Sequence, residues 1–242
     1  MRARIPLSRQ ASGFAGALAM LLGVALVGDA VATVVWRDPI TALFAQQRQK
    51  ALDKELKAAE RAPLLPSTLA LVKHAETREG RFAALAADLR ARSRTGDPIG
   101  RLEIGRIDTR FVVVSGSGDA SLKKGPGHYA NTALPGQGGT VAIAGHRTTY
   151  LAPFRKLDRM RRGDRVRLTM PYGRFTYRVT GTQVVSPSHT AVLRNTGQER
   201  LVLTTCTPLF SAKRRIVVSS RLEHATFRGR IPQTPLAPRA PL

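Results

Sequence analysis

The sequence predicts a mainly β domain, built as a barrel or a sandwich, behind an N-terminal apolar segment and a helical region. From Gly100 onward, short β-prone runs alternate with turns. Before Gly100, the apolar residues instead recur at helical spacing. Near the N-terminus, the segment 14–36 is apolar except for Asp29. A chain of 242 residues, 43% of them hydrophobic, has room for one such domain and these preceding elements.

The segment 14–36 is long enough to cross a membrane. Its length as a helix would be about 35 Å, which exceeds the hydrocarbon core of a bilayer. Three arginines precede it within residues 1–13, which are therefore predicted to be a short cytoplasmic tail. A cleaved signal peptide is the alternative, because residues 30–32 have the small-x-small form of a cleavage site. We favour the uncleaved transmembrane anchor, and both interpretations predict that the rest of the chain is exported.

Residues 37–97 are predicted to form a helical stalk between the membrane and the β domain. An amphipathic helix over residues 41–62 is interrupted by Pro63. A second helical stretch covers residues 67–92, where apolar side chains recur with a period near 3.6. Neither stretch contains a group of side chains that predicts chemistry.

The β domain is assigned to residues 98–223. Its clearest strand covers residues 165–170, where apolar and polar side chains alternate strictly. Residues 151–160 are predicted to be a short helix between strands. Residues 224–242 are rich in Pro and Arg and are predicted to be a disordered tail. The predicted strands are 101–107, 111–115, 140–144, 165–170, 175–179, 200–206 and 214–222.

The charge balance predicts attraction to anionic polymers. The chain has 39 Lys and Arg against 16 Asp and Glu, a formal net charge of +23. Nucleic acids, acidic lipid head groups and anionic wall polymers would all be attracted. Nucleic acid is not a predicted partner, because zinc-finger spacing and aromatic-rich basic strands are both missing from the sequence. The histidines show no paired spacing, so neither a metal nor another cofactor is predicted.

The one cysteine, Cys206, is the first candidate for a reactive group. It cannot form an intrachain disulfide, so in an exported protein it is either a small buried hydrophobe or a nucleophile. Cys206 ends the apolar run 201–205, and His146 follows the apolar run 140–144. Strand ends on a rigid scaffold are where reactive groups are expected. Nearby positive charge would favour the thiolate, and the histidine would protonate a leaving amine.

An arginine after Cys206 would complete this chemistry by stabilising an oxyanion. Arg215 follows Cys206 by nine residues, and a hairpin of that length returns the chain beside the cysteine. Arg214 is the alternative, but it shares its strand face with Ile216 and Val218. That face would be the packed interior of a small barrel, where an unpaired charge is costly. Arg215 is therefore the favoured residue.

These segments resemble the sortase family. Leu203-Thr204-Thr205-Cys206, Gly145-His146-Arg147 and the later arginine strand occur in the family's order, and the resemblance covers residues 98–223. Val202 departs from the strict TLxTC signature of the family. The stretch His146–Phe154 resembles class E sortases of actinobacteria, with class D next.

The resemblance implies a closed, eight-stranded β-barrel and a cysteine transpeptidase. Such an enzyme cuts an LPxTG-type or LAxTG-type sorting signal after its Thr and forms a thioacyl intermediate. It then transfers the acyl group to an amine on a cell-wall precursor. The implied partners are surface proteins that carry the sorting signal, the precursor amine and the membrane, with the catalytic domain on the extracellular side.

The resemblance also implies a role for individual residues. His146 would be the acid and base, Cys206 the nucleophile, and Arg215 the group that binds substrate and stabilises the oxyanion. The expected substrate-binding residues are Tyr150, Thr204 and Thr205.

Two other functions remain open from the sequence. A plain cysteine peptidase is the enzymatic alternative, although papain-like folds place Cys before His, whereas here His146 precedes Cys206. A basic, membrane-tethered binding protein for anionic polymer is the non-enzymatic alternative. It accounts for the charge but leaves His146 and Cys206 without a purpose.

Overall fold

The computed structural model of the protein describes residues 18–28 and 39–228. Residues 18–28 are helical (α1). The predicted membrane segment 14–36 and the predicted tail 224–242 both lie partly outside the described residues. Among the helices of the described residues, none combines the length and the apolar character needed to span a membrane.

Eight strands close into a barrel, which confirms the predicted eight-stranded barrel over the sandwich. The strands are β1 (Pro98–Ile104), β2 (Thr109–Ser115), β3 (Gly127–His128), β4 (Thr140–Ala144), β5 (Arg165–Met170), β6 (Gly173–Val185), β7 (Arg200–Thr207) and β8 (Arg214–Phe227). Their order around the barrel is β1-β2-β3-β4-β7-β8-β6-β5. The pairs β2–β3 and β4–β7 are parallel, and the other neighbours are antiparallel. Closure leaves the sheet without a free edge.

Strand β7 is buried on both faces along most of its length. Leu201 and Leu203 belong to the main core inside the barrel. Val202 points the other way and packs with Ala142 and Val217 on the outer surface, under the 3₁₀ turn Thr190–Leu193. Burial on both faces explains why this segment is a nearly continuous apolar run and not an alternating one. The outer face of β7 is the face that carries Cys206.

Three helices pack against the barrel: α2 (Pro39–Arg61), α3 (Pro66–His74) and α4 (Arg78–Arg92). In α2, Leu52 and Leu56 contact Val112 and Val114 of β2. In α4, Phe82 stacks on a ring of β8 and belongs to the main core. The segment predicted to be a stalk therefore covers the barrel with its apolar stripe. Each such side chain contributes about 1.5–3 kcal/mol when fully buried.

The predicted second helix over residues 67–92 is divided into α3 and α4. The break lies at residues 75–77, where Thr77 takes an extended conformation and its hydroxyl accepts a hydrogen bond from Gly80 N at 3.0 Å. A threonine at this position satisfies one of the unpaired N–H groups at the start of a helix. Helical periodicity continues across the break, so the apolar pattern does not reveal it.

The predicted helix over residues 151–160 is not formed. Its place is taken by turns and the short 3₁₀ segment Leu157–Arg159. Tyr150, just before this stretch, and Leu151 and Ala152, its first two residues, all have positive φ, at 50°, 65° and 42°. A helix cannot start from that conformation.

Strand β8 is longer than predicted. Residues 224–227, assigned to the start of the disordered tail, continue β8 and pair with β6. Ala225 and Phe227 pack against the main core, and this burial keeps the end of the strand in the barrel. The two-residue strand β3 is too short to show a pattern in the sequence, and one further short helix, α5 (Asp119–Leu122), lies before it.

Candidate active site

The ends of the parallel strands β4 and β7 bring His146 and Cys206 to one edge of the barrel. Ala144 of β4 is in register with Thr204 of β7, and Gly145 N donates a hydrogen bond to Thr204 O at 3.1 Å. His146 and Cys206 each lie two residues beyond the paired positions. Because neighbouring strands lie about 4.8 Å apart, the two residues occupy adjacent places at the end of the same strand pair.

The backbone around His146 is held from two sides. Thr205 Oγ1 donates to Gly145 O at 2.7 Å, and Phe154 N donates to His146 O at 3.0 Å. A Cβ at Gly145 would lie 2.6 Å from a ring carbon of Phe154, which is closer than non-bonded carbons approach. Glycine is therefore required at this position for the loop to pack over the strand end.

Arg215 lies directly opposite Cys206 on the antiparallel neighbour β8, and Arg214 lies opposite Thr207. Directly opposed residues in an antiparallel pair project to the same face, with Cβ atoms about 5 Å apart. Arg215 therefore shares the outer face with Cys206 and with Val217. It is half-buried, whereas Arg214 is exposed.

The guanidinium of Arg215 is only partly used by the protein itself. Nη1 donates to Ala212 O at 2.9 Å, in the loop between β7 and β8, and to Arg214 O at 3.2 Å, at the start of β8. Within residues 39–228, its Nε and Nη2 make no hydrogen bond. The side chain is thus held in place while donors remain for a ligand.

His146 lies in an environment that disfavours its charged form. Burial lowers the pKa of His146, and the positive charge of Lys123 adds to this, while the carboxylate of Asp119 acts in the opposite direction. Its Nε2 is buried and has no hydrogen-bond partner in the described part of the chain. Buried polar atoms of this kind are uncommon, so each requires an explanation. One explanation is that this nitrogen gives or takes a proton during catalysis, as a catalytic histidine does.

Tyr150 lies beside His146, with 5.1 Å between the ring centroids. It begins the run of three non-glycine residues with positive φ that ends at Ala152. Such conformations cost on the order of 1–3 kcal/mol each and cluster at functional sites. The turn is closed by a hydrogen bond from Ala152 N to Thr149 O at 2.8 Å. The strained backbone is what presents the tyrosine ring to the histidine.

Thr204 and Thr205 are both buried, at 5% and 3% exposure, and their hydroxyls are engaged. Thr204 is on the outer face with Cys206, and its Oγ1 lies 3.0 Å from the hydroxyl of Tyr129. Thr205 points into the barrel and bonds to Gly145 O. The bonds seen here order the two strand ends, and a contact of either threonine with substrate stays a prediction.

Arg147 is a site residue to which the sequence alone assigned no role. The residue is 8% exposed, and its Nη1 donates to Thr207 Oγ1 at 2.8 Å. Nη2 forms an ion pair with Asp158 at 3.2 Å. The side chain therefore connects the residue after His146, the residue after Cys206 and the 3₁₀ turn at 157–159. Its position next to the histidine was the only available signal, because burial of an arginine cannot be read from local pattern.

The arrangement suits nucleophilic acyl transfer. It combines one thiol, one half-buried imidazole with an unpartnered nitrogen and one guanidinium with unused donors. A reaction of this kind needs a nucleophile, a proton carrier and an oxyanion donor. In the described residues 18–28 and 39–228, no group of three His, Cys, Asp or Glu side chains is placed to hold a metal ion.

The chain matches the family model of the sortase domain over residues 102–223. It is 35% identical over 133 residues to Sortase D of Bacillus subtilis and 31% identical over 143 residues to Sortase SrtE1 of Streptomyces coelicolor. These matches cover 53% and 52% of this chain. They span 66% and 41% of the relatives' own lengths, so the similarity is established for the domain and not for the whole relatives.

Solved structures of sortases share the fold. A sortase D5 transpeptidase of Clostridium perfringens superposes with a TM-score of 0.59 at 26% identity, covering 74% of this chain and 99% of that chain. Sortase E of Streptomyces avermitilis superposes with a TM-score of 0.51 at 36% identity, covering 55% of this chain and 93% of that chain. The match to the sortase D5 structure covers more residues than the barrel contains. It therefore extends into the helices that precede the barrel.

Proposed function

The chain belongs to the sortase family, and we propose that it is a cysteine transpeptidase that cuts a peptide sorting signal and transfers the acyl fragment to an amine. The observation that carries this proposal is the register of the site. Cys206 and Arg215 are directly opposed on β7 and β8, and His146 lies two residues beyond the end of the parallel neighbour β4. Any change in that register would separate the three groups.

In the first half of the reaction, the Cys206 thiolate attacks the carbonyl carbon of the threonine in the sorting signal. A C–S bond forms, and the carbonyl oxygen becomes an oxyanion that accepts hydrogen bonds from Arg215. His146 then gives a proton to the amide nitrogen, the C–N bond breaks, and the C-terminal fragment leaves as an amine. The product is a thioester between Cys206 and the substrate.

In the second half, an acceptor amine attacks the thioester. His146 takes a proton from the attacking nitrogen, and the C–S bond breaks to return the Cys206 thiolate. A new amide joins the sorted protein to the acceptor. We propose that this acceptor is an amine on a cell-wall precursor and that the substrates are surface proteins with LPxTG-type or LAxTG-type signals, cut after Thr.

The proposal can be tested with a sorting-signal peptide and a glycine nucleophile, followed by mass spectrometry of the products. We expect a peptide–glycine adduct from the full-length protein and none from the Cys206→Ala variant, because the substitution removes the nucleophile. His146→Ala should lose nearly as much product. Hydrolysed peptide without adduct would instead identify a plain cysteine peptidase. If neither an LPxTG nor an LAxTG peptide were converted, the result would favour a binding protein with an inert barrel.

We further propose that the enzyme resembles class E in its choice of signal. The support is Tyr150, whose ring lies beside His146 and whose position corresponds to a class E tyrosine linked to motif choice. Its hydroxyl would accept a hydrogen bond from the backbone N–H of alanine in LAxTG, which proline in LPxTG lacks. One such bond contributes about 0.5–1.5 kcal/mol, a preference of a few-fold to about tenfold.

Competition between the two peptides in one reaction tests the signal preference. We expect LAxTG to be used at least as well as LPxTG, and Tyr150→Phe to narrow any difference between them. A strong LPxTG preference of the unmodified enzyme would contradict the class E assignment and leave the transpeptidase proposal standing.

We propose that the protein is a single-pass membrane protein with its catalytic domain outside the cell. The support is the apolar segment 14–36 and the arginines before it. The full-length protein should sediment with membranes and resist washing at high salt, because a spanning helix does not depend on screened charge. A soluble mature protein that begins at Thr33 would show that the segment is a cleaved signal peptide.

A further inference from the structure

The outer face of the barrel carries a row of arginines on four neighbouring strands. Arg165 pairs with Arg178 across β5 and β6, and Arg178 pairs with Arg221 across β6 and β8. Arg221 in turn pairs with Arg200 across β8 and β7. Like charges directly opposite one another destabilise a sheet. A row of four therefore requires either internal neutralisation or a ligand.

Internal neutralisation is incomplete. Arg165 and Arg178 share the carboxylate of Glu223, through bonds of 3.1 Å and 2.9 Å from their Nε atoms. Arg200 is turned to the segment around the 3₁₀ turn Thr190–Leu193, where its Nη2 donates to Val192 O at 2.9 Å and to Arg194 O at 3.0 Å. Arg221 is exposed, and in the described part of the chain its side chain has no ion pair and no hydrogen bond. In the described part of the chain, the Glu223 carboxylate thus neutralises two arginines of the row and leaves Arg221 without a counter-ion.

A cavity of about 560 Å³ opens beside the row and contains a further arginine, Arg162. Arg162 is exposed, and it has no ion pair within residues 39–228. The cavity lining includes no carboxylate and no aromatic ring. The lining residues are Arg162, Gly163, Arg178, Val179, Thr180 and Arg221.

The turn that carries Arg162 is fixed to the barrel. Gly163 N donates to Val179 O at 2.9 Å, and Val179 N donates to Asp164 O at 2.8 Å. Gly163 has a φ of +95°, a conformation that glycine adopts without strain. Arg162 is therefore presented to the cavity by a hydrogen-bonded turn, which reduces the entropy that a ligand would have to remove.

We propose that Arg162 and Arg221, with the Glu223-paired Arg178 in the cavity wall beside them, form an arginine site that binds the phosphate groups of an extended, base-free polyanion such as a phosphodiester polymer. The planar guanidinium binds phosphate through two parallel hydrogen bonds. Arg178 and Arg221 extend side by side from paired positions of β6 and β8, and Arg162 adds a third guanidinium from the turn before β5. Several guanidinium groups along one surface suit several phosphates along a chain better than one compact ion. Single-stranded nucleic acid is disfavoured, because the lining offers no aromatic side chain on which bases stack.

The arginine site is separate from the reacting groups. Arg221 lies six residues from Arg215 along β8, which corresponds to about 20 Å. A polymer bound there would hold the enzyme on an anionic matrix without covering Cys206. The proposal therefore does not depend on the transpeptidase assignment.

The test uses full-length protein in a neutral detergent and short-chain inorganic polyphosphate, with binding measured over a range of salt concentrations. The double variant Arg162→Gln with Arg221→Gln should bind about tenfold more weakly, with a shallower dependence of affinity on salt. The control is Arg61→Gln with Arg94→Gln, which removes the same charge from two exposed arginines elsewhere. The control should keep most of the affinity, and both double variants should keep the unmodified melting temperature.

Equal losses in the two double variants would overturn the proposal, because binding would then follow net charge alone. Inorganic phosphate that binds as tightly as polyphosphate would identify a single-ion site and would also overturn it. So would an oligonucleotide that binds more tightly than polyphosphate at equal phosphate concentration. Arg221→Lys keeps the charge but loses the bidentate geometry, and an intermediate affinity is expected. Transpeptidation of a small peptide should be the same in all variants.

Discussion

At the scale of single residues, Arg215 is the side chain whose role depends most on geometry. It lies opposite Cys206 and is anchored through Nη1 by the backbone carbonyls of Ala212 and Arg214, so its remaining donors have a defined direction. Arg214 is one residue away but projects to the opposite face and is exposed at the strand end. Two adjacent arginines thus have different relations to the thiol.

Substitution of these two arginines should separate their roles. We expect Arg215→Ala to lower turnover by about 10²–10³, the scale of one lost oxyanion donor. Arg214→Ala should change turnover little, because its side chain is not on the face of the thiol. Steady-state rates of adduct formation measure both. If activity followed Arg214 instead, the assignment of faces on β8 would be inverted.

Arg147 should act as a positioning residue for the same reaction. Arg147→Lys keeps the charge, but an ammonium group cannot bond to Thr207 and Asp158 at the same time in this geometry. We expect kcat to fall by about tenfold to a hundredfold, because the ends of β4 and β7 would no longer be held in their relative positions. Thr207→Val, which removes one of the bonds, should give a smaller loss.

A purely structural role for Arg147 would give a different pattern. In that case, the melting temperature of Arg147→Lys would fall while kcat of the folded protein stayed the same. Arg159→Lys is the matched control, because Arg159 is exposed in the same turn. It should leave kcat, KM and the melting temperature unchanged.

At the scale of secondary-structure elements, the helices before the barrel are part of its folded core. Phe82 of α4 is 3% exposed, stacks on Phe227 with 4.0 Å between ring centroids, and contacts Phe175 at 5.0 Å. Two of these rings come from strands and one from a helix. The helix and the barrel are therefore expected to unfold together.

Truncation of Phe82 tests this coupling. Phe82→Ala should lower the free energy of unfolding by about 3–5 kcal/mol, because it leaves a cavity between α4, β6 and β8. Leu71→Ala on α3 is the control. Leu71 is 61% exposed, so its substitution should lower the free energy of unfolding little. Chemical denaturation measures both. A single transition, shifted for Phe82→Ala, is expected; two separate transitions would show that the helices form an independent unit.

The alternating pattern of β5 was sufficient to predict that strand, and the run 140–144 was predicted at the bounds of β4. Strand β3 could not be predicted, because two residues carry no period. The register of β4 against β7 joins positions sixty residues apart, and local pattern contains no information about it. Sequence reasoning could therefore nominate Cys206 and His146 at strand ends but not show that the two ends meet.

At the scale of the whole molecule, acid stability should depend on His128. Burial lowers the pKa of His128 from 6.5 to about 4, the positive charge of Arg90 adds to this, and a hydrogen bond to Ala133 O opposes it. Between these two values the unfolded chain binds the proton that the folded protein excludes. The stabilising contribution is therefore complete above pH 6.5 and is lost as the pH falls toward 4.

The size of this effect follows from the shift in pKa. A difference of about 2.5 pH units corresponds to about 3 kcal/mol. His128→Gln, which stays neutral and keeps a donor for Ala133 O, should lose less stability than the unmodified protein between pH 7 and pH 4.5. Melting temperatures over this range measure the difference. His224→Gln, the same substitution at an exposed histidine, is the control for the loss of an imidazole as such.

Local features could be predicted from the amino-acid sequence: seven of the eight strands at least in part, the outward side of Arg215 on its strand, and the side chains capable of nucleophilic chemistry. These follow from periodicity and side-chain chemistry, which are properties of neighbouring residues. Other features became known only from the folded chain: the order and register of the strands, the packing of the helices on the barrel, the burial of Arg147 and the arginine row. Each of these depends on strand pairing and burial between residues far apart in the chain, where no local pattern specifies the partner.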